Sequence, residues 1–426
     1  MRDLVELVAP RALARPGAAP PLSDRRFLLA TMPAGPFGRR LARALKGMGA
    51  SCARVIVNGG DLWDWGLKDT VFVRAPFEAW CEEIGRILAA REITDVIVFG
   101  DGAAYSAGAL AAARSAGVRA FVLENGYQRP HWVTVEREGV NANSGLPRSP
   151  EAYADVETGP LGEAPPPVGA ITPYHTAHMI AYFAGVILAW PFFRNYRYPY
   201  ALRIWPQAWG HVRRYVIWLA RHRAREREGL ALLADPRPFF LACLQREGDS
   251  QLLKHSELKT NRAFMAAVIR SFAAHAPVDS YLIIKNHPLD PGVEDLQASC
   301  EALAWSHGLA GRVRFLDGGA FAPLGHAAAG VVAVNSTAAL AALEFGAPVK
   351  LMGRALFDIE GLVDPKPLDE FWAAPSAPDP ELLARFRRRL ALTTQVYGSY
   401  HNPHVIARTA TGVAARFACP EAEFAA

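Results

Sequence analysis

At 426 residues the chain is long enough for two domains of ordinary size, and its 51% hydrophobic and 20% charged residues exclude a disordered protein. The net charge of +5 is a modest excess, so its distribution along the chain matters more than its sum. Five scattered cysteines without a CxxC pair indicate reduced thiols. Residues 1–24 lack the pattern of a signal peptide, and we therefore expect a cytoplasmic protein.

The first 150 residues alternate strand and helix patterns. Apolar runs that end in Gly, Asn, Asp or Glu predict strands at 27–30, 55–57, 95–99 and 120–123. Helical patterns lie between them at 39–46, 76–91 and 104–116. This alternation is typical of a doubly wound parallel sheet, in which ligands bind at the carboxyl ends of the strands. Residues at or just after those ends, which we expect to face a ligand, are Gly35, Asn58, Asp61, Asp101 and Glu124.

Residues 150–230 have a different character. The stretch 150–170 is rich in Pro, Gly and acids and predicts a loop or linker. The apolar run 179–193 has 15 residues, short of the ~20 that a bilayer span requires. Nine arginines with interleaved Trp and Tyr follow from 194 to 227, a composition that suits the headgroup region of an anionic bilayer. A buried helical hairpin with a solvated arginine face is the main alternative, and nucleic-acid binding is a weaker one because no such module accompanies the segment.

The alternation of strands and helices returns in the second half, with strands predicted at 239–244, 281–285, 313–316, 331–334 and 348–352. Two Rossmann-like halves with a central cleft are the GT-B architecture of many glycosyltransferases, so the predicted fold class is α/β and GT-B-like. We expect a Rossmann-like acceptor and catalytic domain at 25–170, a helical, aromatic and arginine-rich membrane-facing segment at 171–230, and a Rossmann-like nucleotide-binding domain at 231–402.

Two strand ends in this second half predict a phosphate site. Lys285 and His287 end one strand, and another ends at Ser336 and Thr337, where a helix over 338–345 begins. A helix that starts on hydroxyl side chains presents unpaired N–H groups and the positive end of its dipole, and Lys and His supply further donors. The pattern favours a glycosyltransferase that binds a sugar nucleotide without a metal. An ordinary N-cap and a histidine in a turn are the plainer alternatives.

A polar cluster follows the first strand of the second half and would face the same cleft in a parallel sheet. It consists of Gln245, Asp249, Gln251, His255 and Ser256. Glycosyl transfer needs a carboxylate as base or nucleophile near the anomeric carbon, so Asp101, Glu124 and Asp249 are the catalytic candidates. A polar loop and carboxylates that cap turns are the structural alternatives.

Motifs of several other chemistries are absent from the sequence. There is no DxD, the usual metal clamp of metal-dependent transferases, and no Walker, HExxH or GxSxG motif. A donor with a single phosphate, such as a CMP-sugar, carries little charge and can be held by Lys, His, hydroxyls and a helix end. We therefore expect neither a metal nor a cofactor.

Motifs spread from about residue 25 to 402 resemble, jointly and in order, the KpsS-type family of capsule polysaccharide biosynthesis proteins. They are the segments 35–37, 58–61, 99–101, 124–130, 139–144, 244–256, 285–288, 334–337, 361–362 and 394–400. The resemblance implies a retaining, metal-independent β-Kdo transferase that takes Kdo from CMP-Kdo and builds a linker on (lyso)phosphatidylglycerol. It also implies a peripheral position at the cytoplasmic face of the inner membrane, contact with the capsule synthesis and export machinery, and no nucleic-acid partner.

The resemblance implies roles for single residues as well. The CMP-sugar would be held in the 231–402 domain by Lys285, His287, Pro288, Asn335, Ser336 and Thr337. Glu344 has a place from which, by analogy with GT-B enzymes, a carboxylate accepts hydrogen bonds from the ribose. Arg129, Asn141 and Asn143 lie in the shared motifs, and we expect them in the cleft.

Two positions depart from the family pattern. Asn125 stands where the family commonly has a second acid after Glu124. If that acid is the catalytic one in the family, this chain lacks it, and Glu124 and Asp101 remain as candidate reactive carboxylates. Asn286 replaces the first His of the usual Lys-His-His-Pro and leaves the terminal His287 in place. Two alternatives remain open: a transferase of another nucleotide sugar, and a non-catalytic glycolipid-binding component of capsule export, which Asn125 favours.

Overall fold

The computed structural model describes residues 22–128, 131–159, 167–198 and 204–419. The chain forms two compact units, which are described separately here. Of the described residues, the first unit contains those in 22–146, 158–198 and 387–419, and the second unit contains those in 147–157 and 204–386.

The strands are β1 Arg26–Leu29, β2 Ser51–Ile56, β3 Thr70–Phe72, β4 Asp95–Phe99, β5 Arg119–Asn125, β6 Trp132–Arg137, β7 Phe239–Cys243, β8 Tyr281–Lys285, β9 Val313–Leu316, β10 Gly330–Ala333, β11 Val349–Leu351 and β12 Gln395–Tyr397. The helices are α1 Phe37–Gly47, α2 Gly59–Trp65, α3 Trp80–Ala90, α4 Ala104–Ser115, α5 Thr172–Leu188, α6 Ile204–Leu233, α7 Ser250–His255, α8 Asn261–His275, α9 Leu296–Ser306, α10 Phe321–Ala327, α11 Thr337–Glu344, α12 Leu368–Phe371, α13 Pro380–Thr393 and α14 Ile406–Phe417.

The first unit is built on a seven-stranded sheet in the order β12-β6-β5-β4-β1-β2-β3. Its strands pair in parallel except for β6, which runs antiparallel to both β5 and β12. Side chains alternate between the two faces of a strand, so Phe27 and Leu29 enter the core under α1 and α14, while Leu28 enters the core under α3 and α4. Because helices cover both faces, the central strands are apolar except at their ends.

The second unit contains a five-stranded, fully parallel sheet in the order β11-β10-β7-β8-β9. Every residue of β7 and β8 is buried, as expected for strands with helices on both faces. The aromatic side chains of Phe264, Phe272 and Trp372 lie in the core on one side of this sheet. The carboxyl ends of all five strands consequently share one edge of the unit.

The predicted α/β fold class with two Rossmann-like units is confirmed, and each strand that the sequence predicted is present. The strands β3, β6 and β12 were not predicted, because β3 and β12 are three residues long and the partners of β12 are distant in sequence. The segment predicted as one helical insertion is divided, with α5 in the first unit and α6 in the second. No helix in the described part of the chain combines the length and apolar character that crossing a bilayer requires.

Candidate functional site

Asp101 follows β4 at the carboxyl edge of the first sheet and is 8% exposed. Its Oδ2 accepts hydrogen bonds from the backbone N–H of Val140 at 3.2 Å and from Asn143 Nδ2 at 2.9 Å. Its Oδ1 is buried and has no hydrogen-bond partner among the described residues. A carboxylate that is oriented through one oxygen and unpaired at the other is suited to react with or bind a ligand.

Glu124, at the end of β5, lies beside Gly100, the residue before Asp101. Its Oε1 accepts hydrogen bonds from the Asn125 backbone N–H at 2.8 Å and from Asn125 Nδ2 at 3.2 Å. Its Oε2 lies 3.3 Å from the position that a Cβ on Gly100 would occupy. The structure therefore brings the predicted residues Asp101, Glu124 and Asn143 to the same edge of the first unit. Asn125, which stands in place of the family's second acid, donates hydrogen bonds to the Glu124 carboxylate.

A third carboxyl in this region, that of Glu136 on β6, was missed by the sequence reasoning. Its Oε1 accepts the hydroxyl hydrogen of Tyr127 at 2.7 Å, and the Ser144 hydroxyl donates to its other oxygen. Burial raises the pKa of Glu136 to about 7, and the charge of Asp101 acts in the same direction. The predicted Asn141 belongs to this network, since its backbone N–H donates to the Tyr127 hydroxyl at 2.6 Å.

Asn58 and Asp61, both predicted at the ligand edge, join elements of the first unit to each other. Asn58 caps α2 by accepting from the Asp61 backbone N–H at 3.0 Å, and its amide donates to the Tyr182 hydroxyl of α5 at 2.9 Å. Asp61 forms a buried ion pair with Arg54 at 2.8 Å, although burial raises the pKa of this carboxyl. These contacts account for both side chains by structural roles and hold α5 against α2.

Gly35 lies under a group of histidines that the sequence did not single out. Its φ of +107° is a conformation that favours glycine, and a Cβ here would lie 2.5 Å from His178 Nδ1. His178 Nδ1 lies 3.3 Å from Nδ1 of His401, whose ring also contacts that of His175 at 4.6 Å between centroids. Burial lowers the pKa of His401 to about 3. No three His, Cys, Asp or Glu side chains among the described residues are placed to hold a metal ion.

In the second unit, the predicted polar cluster meets the end of β10. Gln245 Nε2 donates to Asn335 Oδ1 at 2.6 Å. Asn335 Nδ2 in turn donates to the backbone carbonyls of Gln251 at 3.2 Å and Arg354 at 3.1 Å. The guanidinium of Arg354 lies 3.3 Å from His255 Nδ1. Four predicted residues are thus brought together, and Arg354 is an addition that its sequence position after β11 did not reveal.

Ser336 precedes the first turn of α11, as predicted, but its side chain makes no capping hydrogen bond. Its Oγ is buried and lacks a partner among the described residues, as do the side-chain oxygens of Gln245 and Gln251. Thr337 is the first residue of the helix. An unsatisfied hydroxyl donor at a helix N-terminus is a group that a bound anion would satisfy, whereas the two amide oxygens would need a hydrogen-bond donor.

Lys285 and His287, predicted to bind the same anion, have partners within the unit. Lys285 is 8% exposed, and its ammonium donates to the backbone carbonyls of Gly318 at 2.6 Å and Gly319 at 2.9 Å. Burial lowers the pKa of this lysine. His287 Nδ1 accepts from the Leu289 backbone N–H at 3.1 Å, so the proton of the neutral ring is on Nε2.

The remaining predicted residues have peripheral or capping positions. Asp249 caps α7 by accepting from the Gln251 backbone N–H at 2.8 Å, and Ser256 Oγ accepts from the Leu258 backbone N–H at 3.0 Å. Pro288 and Glu344 are exposed, the latter as the last residue of α11. Arg129 lies outside the described residues. The catalytic role of Asp249 and the ribose role of Glu344 stay predictions.

The basic helix α6 lies against loops at the carboxyl edge of the second sheet. Arg214 donates to the Asp290 carbonyl at 2.7 Å and to the Asp317 carboxylate at 2.5 Å. Arg225 also binds Asp317, at 2.7 Å, and both arginine side chains are less than one-fifth exposed. The reading of the arginines in this stretch as lipid-headgroup contacts is therefore wrong for Arg214 and Arg225, because their charges are neutralised inside the unit.

Residues 94–401 match the family model described as capsule polysaccharide biosynthesis protein. The β-Kdo 2,7 transferase KpsC of Thermosulfurimonas dismutans superposes with a TM-score of 0.40 at 15% identity, covering 85% of this chain and 89% of that one.

Two curated relatives cover almost the whole chain. The capsule polysaccharide export protein KpsS of Escherichia coli is 32% identical over 392 residues, which cover 89% of this chain and 98% of that protein. The capsule polysaccharide modification protein LipB of Neisseria meningitidis serogroup A is 31% identical over 395 residues, covering 89% and 92%. The chain therefore belongs to the capsule polysaccharide biosynthesis protein family, as its motifs predicted.

Proposed function

We propose that this protein is a metal-independent glycosyltransferase that moves Kdo from CMP-Kdo to (lyso)phosphatidylglycerol, or to a Kdo primer on that lipid, at the cytoplasmic surface of the inner membrane. Its membership of the capsule polysaccharide family supports the pathway. The observation that carries the donor assignment is the Ser336 hydroxyl, which is buried at the start of α11 without a partner among the described residues.

A buried hydroxyl without a hydrogen bond costs ~1–3 kcal/mol, and a ligand that accepts from it would recover that cost. A phosphate oxygen would accept from the Ser336 hydroxyl and from the first N–H groups of α11. His287, which follows a strand of the same sheet, is a further residue of the proposed donor site. The single phosphate of a CMP-sugar suits this small set of donors, and the pattern requires no metal.

We assign the reactive carboxylate to Asp101, because its Oδ1 is buried and unpaired within the described residues while its Oδ2 is held in place. In a retaining transfer a carboxylate attacks the anomeric carbon as CMP departs with the bonding electron pair. The acceptor hydroxyl then forms a bond to the anomeric carbon, the Asp101 carboxylate leaves with the electron pair of the ester bond, and the hydroxyl proton passes to solvent. Glu124 is the second candidate, since it shares the strand edge with Asp101.

A phospholipid acceptor requires contact with a membrane surface, and exposed apolar side chains support that contact. In the first unit they lie at and just after the end of α5, where Leu188 is 80% and Phe192 68% exposed. In the second unit they form a stripe at helical spacing on α6, and its members are Trp205, Trp209, Val212 and Val216. Trp205 lies nine residues before Arg214, which is two and a half turns of helix at 3.6 residues per turn. The stripe is therefore on the side of α6 opposite Arg214, which binds the rest of the unit. Aromatic side chains at such a face suit the bilayer interface.

The test is an assay of CMP release from CMP-Kdo with a fluorescent phosphatidylglycerol acceptor in EDTA, with the product followed by mass spectrometry. We expect a mass gain of one Kdo. Product formation that requires a divalent metal would contradict metal independence. Tight CMP binding without product would favour another CMP-sugar or acceptor, and lipid binding without CMP release would favour the non-catalytic alternative.

A pair of variants separates a ligand role of Ser336 from a capping role. Thr260 caps α8 by accepting from the Ala263 backbone N–H at 3.1 Å, so Thr260→Ala should lower the unfolding free energy by about 1 kcal/mol and leave CMP affinity unchanged. Ser336→Ala should weaken CMP binding and leave the unfolding free energy unchanged, since it removes no capping bond. Wild-type CMP affinity in Ser336→Ala would refute the donor site.

A further inference from the structure

Arg246 follows β7, the central strand of the second sheet, and was given no role by the sequence. The parallel pairing of β7 with β10 continues into the hydrogen bond between Gln245 and Asn335 at 2.6 Å. In the same register Arg246 lies opposite Ser336, because each residue directly follows one member of the Gln245–Asn335 pair. The two residues share the carboxyl edge of the sheet at which the unsatisfied hydroxyl lies.

The backbone on both sides of Arg246 is held by side chains. The Gln245 backbone N–H donates to Asn261 Oδ1 at 3.0 Å, and Asn261 Nδ2 donates to the Gln245 carbonyl at 2.8 Å. Asn261 also donates to the Glu247 carboxylate at 2.8 Å, and the Glu247 backbone N–H donates to Asp290 Oδ1 at 3.4 Å. Arg246 is thus held just before a turn, and the carboxylate of Glu247, the next residue in the chain, accepts from Asn261.

The guanidinium of Arg246 has no counterpart for its charge. Its Nε is buried without a hydrogen-bond partner, and no carboxylate in the described ranges forms an ion pair with it. An arginine stays protonated in proteins, so a half-buried guanidinium without an anion is costly. Two other cations of this unit have partners: Lys285 donates to the Gly318 carbonyl, and Arg214 binds Asp317.

We infer that Arg246 binds the phosphate of the sugar-nucleotide donor together with the Ser336 hydroxyl, and that it supplies the positive charge expected of Lys285. The planar fork of the guanidinium matches two phosphate oxygens, which gives direction as well as charge. Lys285 then acts by positioning the loop that contains Gly318. The inference rests on the proposed function for the identity of the nucleotide, but its phosphate contact does not depend on the base.

The test is isothermal titration of the full-length protein with CMP, cytidine and inorganic phosphate. Arg246→Gln should weaken CMP binding about tenfold to hundredfold and leave cytidine affinity unchanged, because only the charge-assisted contact to phosphate is lost. Arg270→Gln, at an exposed position of α8, is the matched control and should bind CMP as the wild type does. Arg246→Lys, which keeps the charge, should recover part of the affinity.

The outcomes separate this inference from the proposed function. Wild-type CMP affinity in Arg246→Gln would overturn the role of Arg246 and leave the CMP-sugar donor in place. A wild-type preference for UMP or GMP would overturn the donor, and a loss of that nucleotide's affinity in Arg246→Gln would still support the phosphate contact. Equal losses of CMP and cytidine affinity in both Arg246 variants would indicate that Arg246 has a purely structural role. A wild-type protein that does not bind inorganic phosphate would also count against the phosphate contact.

Discussion

Replacing Glu136 with glutamine should remove a pH dependence of stability from the first unit. Burial raises the pKa of this carboxyl to about 7 from an ordinary value of 4.5, and its oxygens accept hydrogen bonds from the hydroxyls of Tyr127 and Ser144. Between these two values the folded state keeps a proton that the unfolded chain has released. The stability contributed by the protonated carboxyl is therefore fully present below about pH 4.5 and is lost as the pH rises through about 7.

The size of the effect follows from the two pKa values. Their difference, about 7 minus 4.5, is about 2.5 pKa units and corresponds to about 3 kcal/mol at 1.36 kcal/mol per unit. Glutamine resembles the protonated carboxyl and has no charge to bury. The unfolding free energy of Glu136→Gln minus that of the wild type should therefore rise by about 2 to 3 kcal/mol as the pH increases from about 5 to about 8.

Urea denaturation at a series of pH values, followed by circular dichroism, measures this difference. Glu82→Gln is the control, because the Glu82 side chain is 75% exposed and its variant should follow the wild type at every pH. A difference between Glu136→Gln and the wild type that stays constant across the pH range would refute the reasoning that burial holds a proton on Glu136.

Three further outcomes are expected. Arg54→Ala should lower the unfolding free energy by about 3–5 kcal/mol, because it leaves the Asp61 carboxylate buried without its cation; a variant as stable as the wild type in the same urea assay would contradict this. Asp101→Asn should slow Kdo transfer at least ~100-fold with an unchanged circular dichroism spectrum, and substantial product in the mass assay would exclude Asp101 as the reactive carboxylate. Replacing both Trp205 and Trp209 with Glu should lower co-sedimentation with phosphatidylglycerol vesicles about tenfold, whereas unchanged sedimentation would remove α6 from the membrane contact.

Local patterns in the sequence were sufficient to locate the parallel strands and several residues of the candidate sites. A buried strand is a continuous apolar run, and the polar residues that end it lie directly after it in the chain. Parallel pairing then brings such ends to one edge, which is why Gln245 and Asn335 meet, and why Asp101 and Glu124 are neighbours. The family resemblance depended on the same short segments.

The state of each side chain was decided only by the tertiary structure, because it depends on partners that are distant in sequence. His401 contacts His178 because the chain returns to the first unit at residue 387, after it has formed the second unit. Lys285 was predicted to bind an anion, yet the loop after β9 provides carbonyls that occupy its ammonium. Conversely, Arg246 looked ordinary in the sequence and became a candidate because its buried Nε has no hydrogen-bond partner among the described residues. Residue type and spacing predict which groups gather at an edge, whereas burial and hydrogen bonding determine which of them remain available to a ligand.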